Sequence, residues 1–322
     1  MKNGIGCIEE EKEALLKFKD ELIDEDGQLS SWGNEKYKRD CCKWSGVNCD
    51  NQTYHIVELD LYDMHLRGNI SVSLLEIQYL KYLDLTYNDF HYSRIPHFIG
   101  SLGKEAEYIN TLELVKLIDL SSNNLVGDVP MEITNLVMLV GLNFSRNNLF
   151  GFLHANIEQL RSLDFLDFSR NHFSGGIPNG VSQLDQLGVL DLSYNSLSGK
   201  IPQSIHLRTF NAFAFEENPG LCGLPLTKAC PEDEIVQVPK IGYNFDGMKD
   251  QEEDKLINDG FYISMAIGFI FGFWGVCGTF MLNHSWRIAF FKLWNSIMDW
   301  LYVKIAINKI RLREAYHKSV KF

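Results

Sequence analysis

A leucine-based pattern of fixed length repeats through the middle of the chain. Four segments share the form L-x-x-L-x-L-x-x-N-x-L-x-G-x-I-P-x-x-I-x-x-L: VKLIDLSSNNLVGDVPMEITNL, LVGLNFSRNNLFGFLHANIEQL, LDFLDFSRNHFSGGIPNGVSQL and LGVLDLSYNSLSGKIPQSI. The asparagine recurs every 24 residues, at Asn123, Asn147, Asn171 and Asn195. Two earlier copies place Asn88 and Met64 at this position, and eleven extra residues, 104–114, interrupt the array. Self-similarity of this kind predicts equivalent coils stacked along one axis.

Each part of the repeat predicts a local structure. The x-L-x-L-x segment alternates with a period of two, which predicts a short strand with its leucines (Leu83 and Leu85, or Leu190 and Leu192) directed into the core. The asparagine amide offers both a donor and acceptors to the backbone at the turn that leaves the strand. Because no single coil can bury its own leucines, the predicted fold class is an α/β solenoid of about six repeats over 53–207.

An open solenoid exposes apolar core at both ends, so caps are expected at 1–52 and 208–231. Ala14, Leu15, Phe18 and Leu22 fall at helical spacing, which predicts an amphipathic helix over 11–23. Trp32 and Trp44 are expected in the core of the same cap. Six of the seven cysteines lie in the two caps and are expected to form disulfides, although the spacing leaves their connectivity open: Cys7, Cys41, Cys42, Cys49, Cys222 and Cys230. A zinc site is the alternative, but no C-x-x-C pair is present.

A second pattern is the run of 22 uncharged residues, Phe261–Leu282. At ~1.5 Å per residue a helix of this length spans the ~30 Å hydrocarbon core of a bilayer. A buried helix of a soluble protein is the alternative, but the run exceeds the ~18 residues that indicate a membrane span. An acidic segment, 232–260, precedes the run and a basic tail, 283–322, follows it. The positive-inside rule therefore predicts a single-pass type I membrane protein with its N-terminus outside.

The charge distribution supports this orientation. The 322 residues include 30 Lys+Arg and 42 Asp+Glu, a formal net charge of -12 that argues against a nucleic-acid-binding protein. The balance is -18 over 1–260 and +6 over 283–322. The six cap cysteines then lie on the oxidising side of the membrane, where disulfides persist.

No catalytic motif is present in the sequence. The 40-residue tail is too short for a kinase domain, and the chain lacks a Walker loop, G-x-S-x-G, H-E-x-x-H and the kinase signature motifs. A column of carboxylates recurs at one strand position of the repeat, with Asn143 in the remaining place: Asp60, Asp84, Asp119, Asp167 and Asp191. We interpret this column as part of the repeat rather than as a site. No enzymatic activity, cofactor or metal is expected.

Several segments resemble one plant family. The G-x-I-P variant of the 24-residue leucine-rich repeat resembles the plant extracellular type. The segment CIEEEKEALLKFKDELIDEDGQLSSWGNEKYKRDCCKWSGVNC resembles the N-terminal cap of that type, and NPGLCGLPLTKAC resembles its C-terminal cap. FYISMAIGFIFGFWGVCGTF, followed by SWR and LYVKIAIN, is similar to the span and tail of plant receptor-like proteins, especially the group that includes receptors for fungal ethylene-inducing xylanase. The resemblance implies the disulfides Cys7–Cys41, Cys42–Cys49 and Cys222–Cys230.

The resemblance implies a cell-surface receptor without a kinase domain, which recognises an extracellular microbial protein or peptide in plant defence. It also implies that an adaptor receptor kinase supplies the signal through the membrane helix. Five small residues share one face of that helix and would allow close helix contact: Ser264, Gly268, Gly272, Gly275 and Thr279. The candidate ligand contacts are the residues that vary between repeats on the concave strand face: Glu58, Tyr62, Asp63, Tyr82, Tyr87, Arg146, Phe165, Arg170 and Tyr194.

Two other interpretations remain open from the sequence. One is a membrane-tethered binding module, an inhibitor or a decoy, that does not signal. The other is a truncated, non-functional receptor fragment. The chain begins MKNGIGCIEEEKE, without the apolar region of a secretory signal peptide. In addition, the segment GKEAEYINTLELVKLIDLSSN follows only two repeats, whereas members of the family usually carry many more at that point.

The remaining expectations concern modification, sorting and repeat departures. Asn51, Asn69 and Asn143 begin N-x-S/T sequons in the outer part and are predicted to carry glycans. In the tail, Tyr302 and Ile305 fit a tyrosine-based endocytic sorting signal. Met64 in place of the repeat asparagine, and Phe152-Leu153-His154 in place of x-I-P, are each expected to loosen one coil.

Overall fold

The structure, a computed structural model, describes residues 6–90, 92–103 and 115–231. These residues all lie in one unit of the chain, Met1–Ile235. The acidic segment 232–260, the predicted membrane span 261–282 and the tail 283–322 fall outside the described residues. Within the described ranges, no helix is long and apolar enough to cross a bilayer.

The described part of the chain contains one α-helix and fourteen short strands. The helix is α1 (Glu9–Asp20). The strands are β1 (Leu22–Ile23), β2 (Val47–Cys49), β3 (Ile56–Asp60), β4 (Arg67–Gly68), β5 (Tyr82–Asp84), β6 (Leu117–Asp119), β7 (Val126–Gly127), β8 (Gly141–Asn143), β9 (Asn148–Phe152), β10 (Phe165–Asp167), β11 (His172–Gly175), β12 (Val189–Asp191), β13 (Ser196–Lys200) and β14 (Gly220–Cys222).

The repeats stack into a solenoid with two sheets. The first sheet has the strand order β12-β10-β8-β6-β5-β3-β2 and is parallel except that β2 runs antiparallel to β3. Leu83, Leu85, Leu190 and Leu192 are all buried, as the alternation predicts. Burial of one such side chain contributes about 1.5–3 kcal/mol relative to its exposure. The β6 strand pairs in register with β5, so the eleven-residue insertion leaves the stacking of its two neighbouring coils intact.

The second sheet, with the order β14-β13-β11-β9-β7, is not predicted by the repeat pattern. It forms where each coil passes through its L-x-G segment and leaves the strand turn. Gly127 and Gly151 lie there with φ of +94° and +93°, a conformation that side chains other than glycine rarely adopt. From β7 onwards, the two sheets together give each coil two independent sets of hydrogen bonds to its neighbours.

The return legs of the predicted solenoid are short 3₁₀ helices. Five successive return legs each form one short 3₁₀ helix: Val72–Glu76, His97–Ser101, Met131–Asn135, Ala155–Gln159 and Asn179–Gln183. Three further 3₁₀ helices lie in the caps, at Cys41–Lys43, Leu207–Thr209 and Ala212–Ala214. A 24-residue coil that already contains two strands leaves only about one turn for its return leg, and 3₁₀ geometry suits such short pieces. No α-helix occurs within the described repeats.

The N-terminal cap packs its helix against the first repeat. The helix α1 begins two residues earlier and ends three residues earlier than predicted, because β1 at Leu22–Ile23 pairs antiparallel with β4. Trp32 and Trp44 are buried and their rings stack 5.4 Å apart, as expected of a cap core. Glu11 lies 2.8 Å from His55 Nδ1 and accepts a 2.8 Å hydrogen bond from the Ile56 amide, which connects the helix to β3.

Three disulfides close the caps. They join Cys7 to Cys41, Cys42 to Cys49, and Cys222 to Cys230. These are the same pairs that the family resemblance implies. The two bonds in the N-terminal cap attach the start of the chain and the strand β2 to the 3₁₀ helix at Cys41–Lys43. The third lies at the end of the second sheet, beside β14.

A buried column of asparagine side chains holds successive coils together. Its members, which we call the asparagine column, are Asn88, Asn123, Asn147, Asn171, Asn195 and Asn218. Asn171 shows the pattern: its amide donates to Phe144 O of the preceding coil at 2.9 Å and to Phe168 O and Ser169 O of its own coil at 3.2 Å. Its carbonyl oxygen accepts from the Leu149 amide of the preceding coil at 3.0 Å. Each asparagine therefore satisfies backbone groups on both sides of one junction.

Sequence analysis missed the last member of this column. Asn218 lies in the C-terminal cap, 23 residues after Asn195, and donates to Leu192 O at 2.9 Å while accepting from the Leu197 amide at 2.9 Å. The shorter step conceals it from a search with a fixed 24-residue period. The cap thus closes the array with the same hydrogen bonds that the repeats use.

The two departures from the repeat are accommodated in different ways. At the Met64 coil, Asn88 of the next coil bonds both Leu61 O and the Leu66 amide, so those groups remain satisfied. His154 stands where other coils have proline and has φ and ψ of -66° and 136°, close to the -61° and 136° of Pro130. Leu153 is buried at the isoleucine position. A small apolar cavity borders both residues.

The register of the first sheet also places like charges side by side. Asp84 and Asp119 are partners across β5 and β6, and Asp119 is fully buried. Burial, and then the charge of Asp84, raise the pKa of Asp119 from its ordinary value of 3.8 to about 7. Across β6 and β8, Asn143 is the strand partner of Asp119 and donates a 3.0 Å hydrogen bond to Asp119 Oδ2. An amide thus replaces a carboxylate at this position of the aspartate column.

We predict that replacing Asn171 with alanine lowers the free energy of unfolding by on the order of 3 kcal/mol, because several buried backbone groups lose their partner. The midpoint of urea unfolding, followed by circular dichroism, measures the change. Asn156→Ala is the matched control, since Asn156 is exposed on the neighbouring return leg, and its effect should stay within about 0.5 kcal/mol. Equal effects of the two substitutions would contradict the role given to the column.

We predict that the protein loses stability as the pH rises from about 4 to about 7. A carboxyl group with a raised pKa binds its proton more tightly in the folded state, so this contribution is fully present below the unfolded pKa and disappears through the folded one. At about 1.4 kcal/mol per pKa unit, the rise from 3.8 to about 7 corresponds to about 4 kcal/mol. Urea midpoints at pH 5 and pH 8 should differ less in Asp119→Asn than in the wild type. The exposed-site control Asp185→Asn should keep the wild-type difference, and an unchanged slope in Asp119→Asn would refute the assignment.

Candidate ligand-binding face

The strands of the first sheet place part of the candidate set in one row. Glu58 and Tyr82 are partners across β3 and β5, and Phe165 occupies the same strand position in β10. Tyr82 and Phe165 are only 6% and 2% exposed. Glu58 is half-buried and accepts a 2.7 Å hydrogen bond from Asn48 Nδ2. In this structure Tyr82 and Phe165 therefore present little surface to a ligand, whereas Glu58 presents more.

The other large set of candidates shares an unusual backbone conformation. The residue before each asparagine of the column has a φ between 54° and 56°. These residues, together with Asp63 before Met64, form what we call the left-handed column: Asp63, Tyr87, Ser122, Arg146, Arg170, Tyr194 and Glu217. Five of the nine candidate contacts belong to it. Residues other than glycine seldom adopt this conformation, because it costs roughly 1–2 kcal/mol per residue.

Hydrogen bonds from neighbouring coils hold the left-handed column in place. The Arg146 amide donates to Ser169 O at 2.9 Å, and the Arg170 amide donates to Ser193 O at 2.9 Å. The adjacent asparagine fixes the turn from the other side. Because this conformation is repeated at every coil, the column presents one variable side chain per coil at a regular spacing.

Aromatic and basic side chains of the column contact one another. Arg146 Nη1 donates to Tyr87 Oη at 3.0 Å across the coil of Ser122. Tyr87 in turn meets the ring of Tyr62 edge-on, with 5.8 Å between ring centroids. The Arg170 guanidinium lies 4.0 Å from the centroid of the Tyr194 ring, in a cation–π contact. The candidates Tyr62, Tyr87, Arg146, Arg170 and Tyr194 are thus brought together along one face.

The N-terminal end of the column is a charged cluster. His65 Nδ1 lies 2.9 Å from Asp26 Oδ2, and His65 Nε2 lies 3.6 Å from Asp63 Oδ1. The hydrogen bond to Asp26, followed by the charge of Asp63, raises the pKa of His65. Asp63 therefore has His65 as its basic neighbour at the N-terminal end of the column, whereas Arg146 and Arg170 lie further along the column.

The structure corrects one of the three predicted glycosylation sites. Asn51 and Asn69 are exposed, but Asn143 is fully buried and its amide nitrogen bonds Asp119. A glycan needs that nitrogen and open space around it, so the folded protein does not accommodate a sugar at Asn143. Two further predicted sets lie outside the described residues: the small-residue face of the span (Ser264, Gly268, Gly272, Gly275 and Thr279) and the sorting signal (Tyr302 and Ile305).

Comparisons with known proteins agree with this architecture. A family model described as "Leucine rich repeat N-terminal domain" matches residues 8–50, and one described as "Leucine Rich Repeat" matches residues 162–184 and 186–207. The crystal structure of a Pollen Receptor Kinase 3 covers 67% of this chain, which in turn covers 98% of that one, with 28% identity and a TM-score of 0.54. These matches correspond to the disulfide-bonded cap and to the stacked coils.

Two tomato (Solanum lycopersicum) proteins are among the similar sequences. Receptor-like protein EIX1 is 41% identical over 146 residues, and Receptor-like protein EIX2 is 44% identical over 137 residues. The matches cover 41% and 39% of this chain but only 13% and 12% of those proteins. The chain therefore spans about an eighth of the length of these relatives. The matched segments thus carry a leucine-rich-repeat N-terminal domain and leucine-rich repeats, and the chain is similar in part to plant receptor-like proteins.

Proposed function

We propose that this protein is a cell-surface receptor-like protein of the plant plasma membrane, single-pass and of type I, without a kinase domain. Its left-handed column binds an extracellular protein or peptide of microbial origin, and a partner receptor kinase transmits the signal in plant defence. The observation that supports binding most strongly is the column itself, because it displays large polar and aromatic side chains at a regular spacing from a rigid backbone. Tyrosine and arginine are the types that dominate binding energy at interfaces.

The similarity to receptor-like proteins supports the kind of function, and the sequence supports the membrane part. The acidic outer segment, the 22-residue apolar run and the basic tail together match a type I orientation. The small-residue face of the run offers a surface on which a second membrane helix can pack closely. A tethered binding module or decoy would share the ligand face but would need no kinase partner, so association with a kinase separates the two functions.

We predict that the chain expressed in plant cells carries glycans at Asn51 and Asn69 but not at Asn143. Treatment with N-glycosidase should increase its mobility on a gel, because residues 1–260 face the lumen during synthesis. The double variant Asn51→Gln/Asn69→Gln should lose the whole mobility shift, and Asn143→Gln should retain it. A shift that persists in the double variant would show that Asn143 is modified, and the absence of any shift would contradict the proposed orientation.

We predict that the full chain, solubilised from plant membranes in mild detergent, co-precipitates with a receptor kinase that has its own membrane helix. Gly268→Leu combined with Gly272→Leu should reduce the recovered kinase at least tenfold, because leucine side chains prevent close helix approach. Ala266→Leu, which lies on the opposite face of the predicted helix, is the matched control and should leave the association unchanged. Undiminished association of the glycine variant would rule out this route of signalling, as would complete absence of a kinase from the wild-type precipitate.

A further inference from the structure

A loop of the N-terminal cap concentrates positive charge. Residues 33–43, which we call the basic loop, contain four basic residues and two acidic ones, whereas residues 1–260 as a whole have a balance of -18. Lys36 and Arg39 are exposed. Tyr37 lies between them in the sequence and is 82% exposed, so its ring contributes little to the core of the cap.

The backbone of the basic loop is anchored to the cap. Directly before the loop, Trp32 is buried and stacks on Trp44. In the middle of the loop, Lys38 O accepts a 2.8 Å hydrogen bond from Trp44 Nε1. Near its end, Cys41 and Cys42 form the two disulfides of the cap. The exposed side chains are therefore presented from a backbone that the cap core and the disulfides hold in place.

Both carboxylates of the basic loop are used within it. Glu35 Oε1 lies 3.3 Å from Lys38 Nζ. A hydrogen bond from the backbone amide of Glu35, followed by the one from Lys38, lowers the pKa of the Glu35 carboxyl. Asp40 Oδ2 lies 3.0 Å from Lys43 Nζ. Two of the four basic residues are thus neutralised inside the loop.

The other two cations of the loop are not neutralised in the part of the chain that the structure describes. There, the side chains of Lys36 and Arg39 form neither an ion pair nor a hydrogen bond. Lys38 Nζ lies 5.5 Å from the centroid of the Tyr37 ring, which keeps further positive charge beside the ring. The loop therefore offers two available charges on either side of an exposed aromatic ring.

A polymer with a repeated anion suits this arrangement best. Carboxylates on successive units can meet several basic side chains at once, and linked contacts bind far more strongly than single ones. If the units are sugar rings, their C–H groups can pack on the negative face of an aromatic ring. An anionic lipid surface suits the loop less well, because anionic lipids are concentrated in the cytoplasmic leaflet and the cap is proposed to lie outside.

We propose that the basic loop binds an acidic polysaccharide, a polymer of sugar rings that carry carboxylates. Lys36 and Arg39 contact the carboxylates, and Tyr37 packs against a sugar ring. Arginine can hold a carboxylate through two parallel hydrogen bonds, and lysine acts as a point charge. The inference goes beyond the proposed function, since it assigns a second ligand outside the left-handed column and requires only that residues 1–260 face outwards.

The test measures retention of the full chain, solubilised in mild detergent, on immobilised polygalacturonate. The wild type should bind at about 0.05 M salt and elute by about 0.5 M, because salt screens exposed charges. Lys36→Gln/Arg39→Gln should weaken binding at least tenfold. Tyr37→Ala should weaken it several-fold, whereas Tyr37→Phe keeps the ring and should change it little. Arg161→Gln/Arg208→Gln is the matched control, since it removes two exposed arginines elsewhere, and should bind as the wild type does.

Fully methyl-esterified polygalacturonate keeps the sugar rings without their charge and should retain little protein. Equal retention on the esterified polymer, or no retention of the wild type, would refute the proposal. Equal loss in the arginine control would show a general charge effect. Displacement by polyglutamate as effective as by polygalacturonate, at equal carboxylate concentration, would reassign the loop to acidic peptides. Tighter binding to phosphatidylserine vesicles, lost in Lys36→Gln/Arg39→Gln, would reassign it to a membrane. The glycosidase shift and the kinase association of that variant should remain unchanged, which separates this site from the proposed receptor function.

Discussion

The hydrogen bonds of one buried amide per coil determine how this solenoid is built. Each asparagine of the column bonds carbonyl groups in its own coil and in the preceding one, and it accepts an amide from that preceding coil. These backbone groups are buried and cannot reach water, so leaving them unpaired is costly. The strand register, the turn that follows and the conformation of the preceding residue all depend on this bonding. The C-terminal cap repeats it through Asn218.

Much of the fold follows from the sequence, because a fixed period predicts a repeated environment. The leucine alternation predicts the first sheet, and the spacing of Ala14, Leu15 and Phe18 predicts the cap helix to within three residues. The second sheet was missed, since its strands are short and rich in glycine and polar residues, as in Ser196–Lys200. The 3₁₀ geometry of the return legs was not predicted, because five residues cannot display a helical period.

The candidate face was only partly predictable for a related physical reason. Variation between repeats identifies the residues that are free to differ, but it does not reveal which of them are exposed. Tyr82 and Phe165 vary as Arg146 and Tyr194 do, yet the first two are buried. The left-handed conformation is imposed by hydrogen bonds from neighbouring coils rather than by the residue that adopts it. Its sequence signal is a polar or aromatic residue immediately before each asparagine. That signal can be interpreted only when the structure of the coil is known.

The left-handed column also restricts the chemistry that the face can acquire. Side chains branched at Cβ are strongly disfavoured at positive φ, and none of the seven column residues is valine, isoleucine or threonine. Substitution at these positions leaves the leucine core untouched, so new side chains can be sampled at little cost to folding. The fold thus restricts the side-chain types at this face, with a bias towards long polar and aromatic side chains and with one variable position per coil. Diversification of such proteins is expected to proceed by substitution at these variable positions, while the asparagine beside each one stays constant.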